Sequence, residues 1–143
     1  MKPEFMLRAI ELAKSSKNDV PVGAIIVKDG EKIAEAFNEK EKNNDATAHA
    51  EIIAIRKAGE KLKNWRLQDC EIYVTLEPCP MCASAIIQSR ISKVYFGAFD
   101  IVNGAFSSKF DMRTLVNSSV EVKGGLMEEE NIKILKQYFE RIR

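Results

Sequence analysis

Residues 71–90 are EIYVTLEPCPMCASAIIQSR, and they predict a strand that runs directly into a helix. Over Glu71–Leu76, the apolar side chains of Ile, Val and Leu alternate with Tyr and Thr, as they do in a β-strand. Pro80–Arg90 follows as a predicted helix. The junction between them carries a Cys-x-x-Cys motif, and at a helix start Cys79 and Cys82 would face the same way and could share one ion.

Before this segment, the sequence predicts a helix and a hairpin. Apolar side chains recur at three- and four-residue spacing over residues 3–16, which indicates an amphipathic helix. Pro21–Lys28 is a nearly continuous apolar run, as expected of a buried strand. Asp29 and Gly30 form a tight-turn signal, and Lys32–Phe37 follows as the second strand of the hairpin.

The remaining elements lie on either side of the Cys-x-x-Cys segment. A polar stretch leads to Thr47, the predicted cap of a helix that ends near Gly59. Downstream, Lys93–Gly97 and Val120–Lys123 are predicted strands, and residues 100–117 are irregular. A last helix follows, and its apolar side chains form one stripe that consists of Ile132, Leu135, Phe139 and Ile142.

This order of elements, αββαβαβ(β)α, places the chain in the α/β class. It predicts a three-layer α/β/α sandwich, with a central five-stranded mixed sheet covered by helices on both faces. The sequence shows no internal repeat and no interdomain linker. Its length of 143 residues gives room for one compact domain, so residues 1–143 are expected to fold as a single unit.

Composition excludes several kinds of function. The 21 acidic residues nearly balance the 22 basic ones, which rules out a polybasic nucleic-acid-binding tail and an acidic solvating one. A single histidine excludes any mechanism that needs two. Three cysteines do not make a disulfide scaffold, and no apolar run approaches the roughly 20 residues that span a bilayer. We therefore expect a cytoplasmic protein with reduced thiols and no membrane contact.

Metal chemistry is the main functional hypothesis from the residues themselves. Cys79 and Cys82 supply two thiols, and His49 supplies a third ligand of the kind that zinc favours. Three protein ligands leave one tetrahedral position open, which is typical of a catalytic site. Two thiolates and a neutral imidazole cancel the charge of the ion, so a nearby base is needed to deprotonate water, and Glu51 is the candidate.

The spacing of His49 and Glu51 puts a condition on this hypothesis. On a regular helix, two residues correspond to about 200° of rotation, so the two side chains would not share a face in mid-helix. They can flank one cavity only at the mouth of the helix, and Thr47 as the cap would place them there.

Two other interpretations of the cysteines remain. The pair could be a redox site, or it could be half of a structural zinc ribbon with Cys70 as a further ligand. Nine residues of extended chain separate Cys70 from Cys79 by roughly 30 Å, so Cys70 is expected to pack as a small apolar group instead.

The chain resembles the bacterial tRNA-specific adenosine deaminases, which are zinc-dependent enzymes with the cytidine-deaminase fold. His49-Ala50-Glu51 together with Pro78-Cys79-Pro80-Met81-Cys82 matches the signature of zinc-dependent nucleoside and nucleobase deaminases. The resemblance implies a homodimer that converts the wobble adenosine of a tRNA anticodon stem-loop to inosine. It extends along most of the chain, through Asp19–Ala24, Thr47–Glu51, Trp65–Leu67, Tyr73–Cys79 and Phe96–Asp100.

The resemblance also implies a role for each site residue. One zinc ion on His49, Cys79 and Cys82 would activate water, and Glu51 would take its proton. The resulting hydroxide would attack C6 of adenine, after which Glu51 passes protons to the ring nitrogen and to the departing ammonia.

Substrate contacts follow from the same resemblance. Asn38 would hydrogen-bond the flipped-out base or its ribose, although an asparagine here could simply end the hairpin. The backbone N–H groups of Ala50 and Cys79 would lie near the new oxygen. Asp100 would contact the nucleotide beside the target, or it could cap its own loop. Trp65 is expected to be a packing residue.

The chain departs from the family pattern on the RNA side. Val102 stands where many members have lysine, and Ser118 stands where many have histidine. Two other functions therefore remain: deamination of a free base or nucleoside of the guanine or cytosine type, and a non-catalytic zinc module that binds RNA. An intact Glu51 argues against the module, because a structural site has no use for that carboxylate.

Overall fold

The computed structural model describes residues 2–142, so Met1 and Arg143 lie outside the described residues. The chain alternates between strands and helices in the predicted order. The strands are β1 (Gly23–Lys28), β2 (Glu31–Phe37), β3 (Cys70–Leu76), β4 (Lys93–Ala98) and β5 (Glu121–Lys123). The helices are α1 (Pro3–Ala13), α2 (Lys40–Asn43), α3 (Ala50–Leu62), α4 (Pro80–Gln88), α5 (Met112–Leu115) and α6 (Glu128–Arg141).

The strands form one mixed sheet in the order β2-β1-β3-β4-β5. β1 pairs antiparallel with β2 and with β3, whereas β3, β4 and β5 run parallel. Since β3 and β4 are parallel neighbours, a crossover must join them, and α4 forms it. The predicted five-stranded mixed sheet is therefore confirmed.

Helices cover both faces of the sheet, which confirms the three-layer sandwich. On one face, α1 buries Met6, Ala9 and Ile10 against a cluster that includes Tyr73 and Tyr95. On the other face, α3 and α4 pack over a larger apolar cluster. Their buried side chains are mostly alanine, which lets the helices lie close to the strands: Ala50, Ala54, Ala58, Ala83 and Ile86.

The hairpin turn has the conformation that its sequence predicts. Asp29 and Gly30 have φ values of 52° and 78°, so both lie in the left-handed region. A two-residue turn of this kind matches the twist of the flanking strands, and Asp-Gly is one of the pairs that adopt it easily.

The start of α3 differs from the prediction. The cap of this helix is His49, not Thr47, because Asp45 engages Thr47 in a local turn. Asp45 Oδ1 accepts from the Thr47 amide at 2.8 Å and from its hydroxyl at 2.7 Å. The helix therefore begins only after His49, whose backbone is extended at φ −75° and ψ 151°.

Two short helices, α2 and α5, were not predicted, since four residues are too few to show a helical period. The rest of residues 100–117 is irregular, as expected. Among residues 2–142, no helix has both the length and the apolar character needed to cross a membrane.

Candidate metal centre and its cavity

Three side chains meet where α3 and α4 begin. His49 is the N-cap of α3, Cys79 is the N-cap of α4, and Cys82 lies in the first turn of α4. The His49 Nδ1 atom lies 3.4 Å from Cys82 Sγ and 3.7 Å from Cys79 Sγ. The ligand atoms of all three residues lie within 4.8 Å of one another, and within residues 2–142 no other group of His, Cys, Asp or Glu has this arrangement.

The charges of the two thiols are coupled. The hydrogen bond from Cys82, helped by His49, lowers the pKa of Cys79 well below its ordinary value. The same hydrogen bond and burial raise the pKa of Cys82, so one sulfur carries the negative charge while the other keeps its proton. Binding of a cation would release that proton and give two thiolates.

The donor set fits zinc. Two thiolate sulfurs and one imidazole nitrogen are ligands that zinc prefers. The hydrogen bond with Cys79 raises the pKa of His49, so the two side chains already interact at this site. Three protein donors are one fewer than a closed structural site uses. Cys70, the third cysteine, is fully buried at the start of β3 and takes no part in the cluster, as predicted.

Glu51 lies beside this cluster in the first turn of α3. Its side chain is only 4% exposed, and burial raises its pKa to about 7. His49 and Glu51 line the same cavity, because the extended backbone of His49 removes the helical rotation that would otherwise separate them. The condition set by their spacing is met at the helix mouth, although His49 rather than Thr47 forms the cap.

A cavity of about 560 Å³ opens in front of the cluster. This volume lies within the range of pockets that hold small organic molecules. Its polar groups include Asn38, His49, Glu51 and Cys79. Its apolar walls come from the segment before β1, the end of β3, the loop after β4 and the last helix: Val20, Val22, Leu76, Phe99, Ile101, Val102, Leu135 and Phe139.

Asn38 joins the end of β2 to the start of α3. Its Nδ2 donates to the carbonyl oxygen of Val20 at 2.9 Å, and its Oδ1 accepts from the Ala50 amide at 2.8 Å. Asn38 also lines the cavity. The Ala50 N–H is thus engaged in this structure, so contact with a substrate would require Asn38 Oδ1 to release it. The substrate contacts of both residues stay predictions.

Asp100 lies on the loop after β4 and lines the same cavity. Its Oδ1 accepts from the amides of Val102 and Asn103 at 3.1 and 3.0 Å, so the side chain does cap its own loop. Its contact with a neighbouring nucleotide stays a prediction. Capping the loop and contacting a nucleotide are compatible, because the second oxygen of the Asp100 carboxylate is not used in these two bonds.

Sequence patterns missed several residues of the cavity wall. Asp19, Lys40, Phe99 and the α6 side chains of Leu135 and Phe139 line it, although none was a candidate site residue. The apolar stripe of the last helix was the available signal. A stripe usually marks a core face, but Phe139 is 45% exposed at the cavity.

Trp65, which was expected to be a packing residue, lies largely at the surface, where two guanidinium groups pack on its ring. Its side chain is 56% exposed. The guanidinium of Arg66 lies 4.3 Å from the centre of its ring, and that of Arg90 lies 5.8 Å away. Trp65 follows the end of α3, whereas the cluster of His49, Cys79 and Cys82 lies at the start of this helix.

Comparison with known proteins gives a consistent result. A family model described as the cytidine and deoxycytidylate deaminase zinc-binding region matches residues 1–98. The tRNA-specific adenosine deaminase of Bacillus subtilis is 42% identical over 97% of this chain and 89% of its own length. The enzyme of the same name from Agrobacterium fabrum is 43% identical over 96% of this chain and 93% of its own.

Solved structures agree with the sequence relatives. One from a study of A-to-I editing by tRNA:A34 deaminases superposes with a TM-score of 0.86 at 41% identity, over 93% of this chain and 99% of the other. The structure of guanine deaminase from Bacillus subtilis gives a TM-score of 0.67 at 42% identity, over 82% of this chain and 76% of the other.

Proposed function

The chain belongs to the cytidine and deoxycytidylate deaminase family, and from this premise we propose that it deaminates adenosine to inosine at the wobble position of tRNA. The relatives that are 42–43% identical over nearly its whole length have the name tRNA-specific adenosine deaminase. The observation that carries the proposal is that His49 and Cys79, which cluster with Cys82, line one cavity together with the buried Glu51. The enzyme is a hydrolase that breaks a C–N bond of a cyclic amidine.

One zinc ion per subunit would be held by His49, Cys79 and Cys82. When bound, the ion supplies Lewis acidity that makes a water molecule easier to deprotonate. Both cysteines and the histidine lie at helix N-termini, and this position supports zinc binding. The unpaired N–H groups there favour thiolate over thiol.

Glu51 is the proton carrier. Burial raises its pKa to about 7, so its carboxylate can take a proton and give it up again near neutral pH. In the proposed reaction, the water oxygen bonds to C6 of adenine while Glu51 holds the water proton. Glu51 delivers this proton to the ring nitrogen, then takes the remaining proton of the added hydroxyl and passes it to the exocyclic amine. The bond from C6 to this amine breaks, ammonia leaves, and the oxygen stays on C6 as the carbonyl of inosine.

The base must leave its stack to reach these groups. A cavity of about 560 Å³ with apolar walls and few polar groups suits one extruded base and its ribose. Asn38 and the amide of Ala50 would contact this nucleotide. Asp100 would contact the nucleotide beside it, since it lies on a loop at the same cavity.

We further propose that residues 1–143 act as one domain within a cytoplasmic homodimer, with the tRNA anticodon stem-loop as the substrate. The dimer rests on the resemblance to tRNA-specific adenosine deaminases, and the location rests on the composition of the sequence. Large exposed apolar side chains outside the cavity, such as Leu115 at 77% exposure, are consistent with a further interface.

Deamination of a free base is the second candidate, and one observation favours it. A guanine deaminase structure is 42% identical over 82% of this chain, which is as high as the identity to the tRNA enzymes, although over a shorter part. Its TM-score of 0.67 is lower than the 0.86 of the tRNA:A34 deaminase.

One assay separates the two candidates. The purified protein is incubated with a tRNA that has a wobble adenosine and, separately, with guanine, cytosine, adenosine and cytidine, and inosine and ammonia are measured. We expect inosine in the tRNA only, and deamination confined to free bases or nucleosides would contradict the proposal. A Glu51→Gln protein keeps the shape of the side chain without its acidity, so it should lose turnover by about a hundredfold or more while keeping its metal.

A further inference from the structure

Glu77 has a buried carboxylate that the proposed reaction does not use. Glu77 is 2% exposed and follows the end of β3, immediately before Pro78 and the proposed ligand Cys79. None of the ion pairs formed by residues 2–142 includes it. A buried carboxylate is costly unless it is hydrogen-bonded, so its donors must explain why it is there.

All of its side-chain donors come from one loop, residues 99–108, which we call the rim loop. Glu77 Oε1 accepts from the Asp100 amide at 3.1 Å and from the Ser108 hydroxyl in a short bond. Glu77 Oε2 accepts from the amides of Phe106 and Ser108 at 3.0 and 3.1 Å. These four donors satisfy both oxygens of the buried carboxylate, and all of them tie it to the same loop.

The outer half of the rim loop has little packing of its own. Phe99–Asn103 are five consecutive residues that line the cavity, and Ile101 and Val102 are 78% and 68% exposed. Its conformation therefore depends on its hydrogen bonds and on the residues that follow. Of those, Ala105 and Phe106 are buried, and the Ala105 amide donates to the carbonyl oxygen of Pro78 at 2.8 Å.

Gly104 shows how closely the loop approaches Glu77. Its amide donates to the carbonyl oxygen of Asp100 at 2.7 Å, which closes the turn. A Cβ atom at this position would overlap both the Glu77 carboxylate and the Asp100 carbonyl oxygen. Only glycine lets the turn lie directly against the carboxylate, so turn and carboxylate fit as one unit.

We propose that Glu77 is a positioning residue, which holds the rim loop against the strand that leads to Cys79 and so fixes the mouth of the cavity. This inference rests on the proposed function and deepens it. The loop carries Asp100, and through it Glu77 sets how the RNA around the target nucleotide is bound. Glu77 acts through the loop and does not contact the reacting atoms.

The test compares Glu77→Ala and Ser108→Ala with a matched control, Glu71→Gln. Glu71 is on the same strand, is half-buried, and makes only a 4.0 Å ion pair with Lys93 away from the cavity. Hydrogen exchange is measured at the amides of Asp100, Phe106 and Ser108, and KM and kcat are measured for an anticodon stem-loop RNA. Bound zinc is measured in each protein.

In Glu77→Ala, we expect exchange at these amides to rise by about tenfold to a hundredfold, because four hydrogen bonds are lost together. The KM for the RNA should rise by about tenfold, with kcat changed by less than about threefold and zinc retained. Ser108→Ala removes only the hydrogen bond from the hydroxyl, so exchange and KM should rise by less than in Glu77→Ala. This variant keeps the inference testable if Glu77→Ala does not fold. Glu71→Gln should match the wild type.

Three results would overturn the inference: unchanged exchange in the rim loop, a loss of kcat at constant KM, or loss of zinc without a change in the loop. Glu77→Gln adds a further check, because its amide keeps one accepting oxygen and should restore part of the exchange protection. The exchange measurement needs no turnover. If the wild type does not deaminate tRNA, the proposed function fails while the exchange result still decides whether Glu77 holds the loop.

Discussion

At the scale of single residues, the N-cap position of His49 determines where its side chain lies. His49 is the N-cap of α3, so its backbone is extended and its side chain lies at the helix mouth, 3.4 Å from Cys82 Sγ. The same extended backbone brings Glu51, two residues later, to the same cavity. One change of backbone conformation at His49 therefore places both the candidate ligand and the proposed proton carrier.

The ligand assignment can be tested by comparing two buried cysteines. Cys82→Ala removes one of three donors, and we expect zinc to fall from about one per chain to a small fraction of that, with activity lost in parallel. Cys70→Ala is the matched control, since Cys70 is equally buried but lies outside the cluster. It should keep its zinc and lose only about 1 kcal/mol of unfolding free energy. Metal analysis of the purified proteins gives the answer, and a full complement of zinc in Cys82→Ala would contradict the assignment.

The sequence predicted these candidate ligands because their chemistry is local. Two cysteines at a helix start and a histidine before another helix are visible as motifs, and Cys70 was correctly set apart by distance along an extended strand. The bonds of Asn38 and Glu77 were not predicted. Asn38 reaches Ala50 across 12 residues and Glu77 reaches Ser108 across 31, so no spacing rule relates these partners.

At the scale of elements, the edge strand β2 is held to α1 by charge as well as by the sheet. Arg8 of α1 donates to both carboxylate oxygens of Glu35 on β2, at 2.6 and 3.2 Å. Lys32 adds a third contact at 2.8 Å. The hydrogen bond from Arg8 is the largest cause that lowers the pKa of Glu35, to about 2.

This shift predicts how the stability of the element depends on pH. The folded pKa of Glu35 lies below its ordinary value of 4.5, so its contribution is present above about pH 4.5 and is lost as the pH falls toward 2. Because Arg8 is 42% exposed, we expect Glu35→Gln to lower the unfolding free energy by only about 1 kcal/mol at pH 7. The difference from the wild type should shrink as the pH falls from 4.5 toward 2.

Urea unfolding at pH 7, 4.5 and 3 measures this difference. Glu31→Gln is the control on the same strand, because Glu31 is exposed and makes no ion pair among the described residues. A deficit in Glu35→Gln that stays constant between pH 7 and pH 3 would show that the lost stability is not electrostatic.

The elements differ in how well they could be predicted. The hairpin and the strand–helix unit at residues 71–90 follow from periodicity, turn residues and the position of proline. The last helix was predicted with its apolar stripe, but its Leu135 and Phe139 side chains line the cavity rather than a closed core. A stripe shows only that a helix has an apolar face, and the tertiary arrangement decides what that face meets.

At the scale of the whole molecule, the balance of charge sets how RNA can be bound. With 22 basic and 21 acidic residues, the chain has a net charge of +1, so it has no large positive field to attract phosphates. Among the residues that line the cavity, Lys40 is the one lysine or arginine. It is exposed on α2, close to the proposed site of the extruded base. The sequence around Lys40 did not predict that this residue lines the cavity.

Binding of an anticodon stem-loop should therefore depend only modestly on salt. Each phosphate contact contributes about 0.7–0.9 to the slope of log K against log salt, so we expect a slope of about −2 to −4 for a few contacts. Lys40→Ala should reduce the magnitude of this slope by nearly one unit.

Lys42→Ala is the matched control, because Lys42 is exposed on the same helix, lies 3.5 Å from Glu39, and does not line the cavity. Fluorescence anisotropy with catalytically inactive Glu51→Gln protein over a range of salt concentrations measures all three slopes. A slope near −8, or equal effects of the two lysine substitutions, would mean that RNA binds through an extended basic surface and not through the cavity mouth.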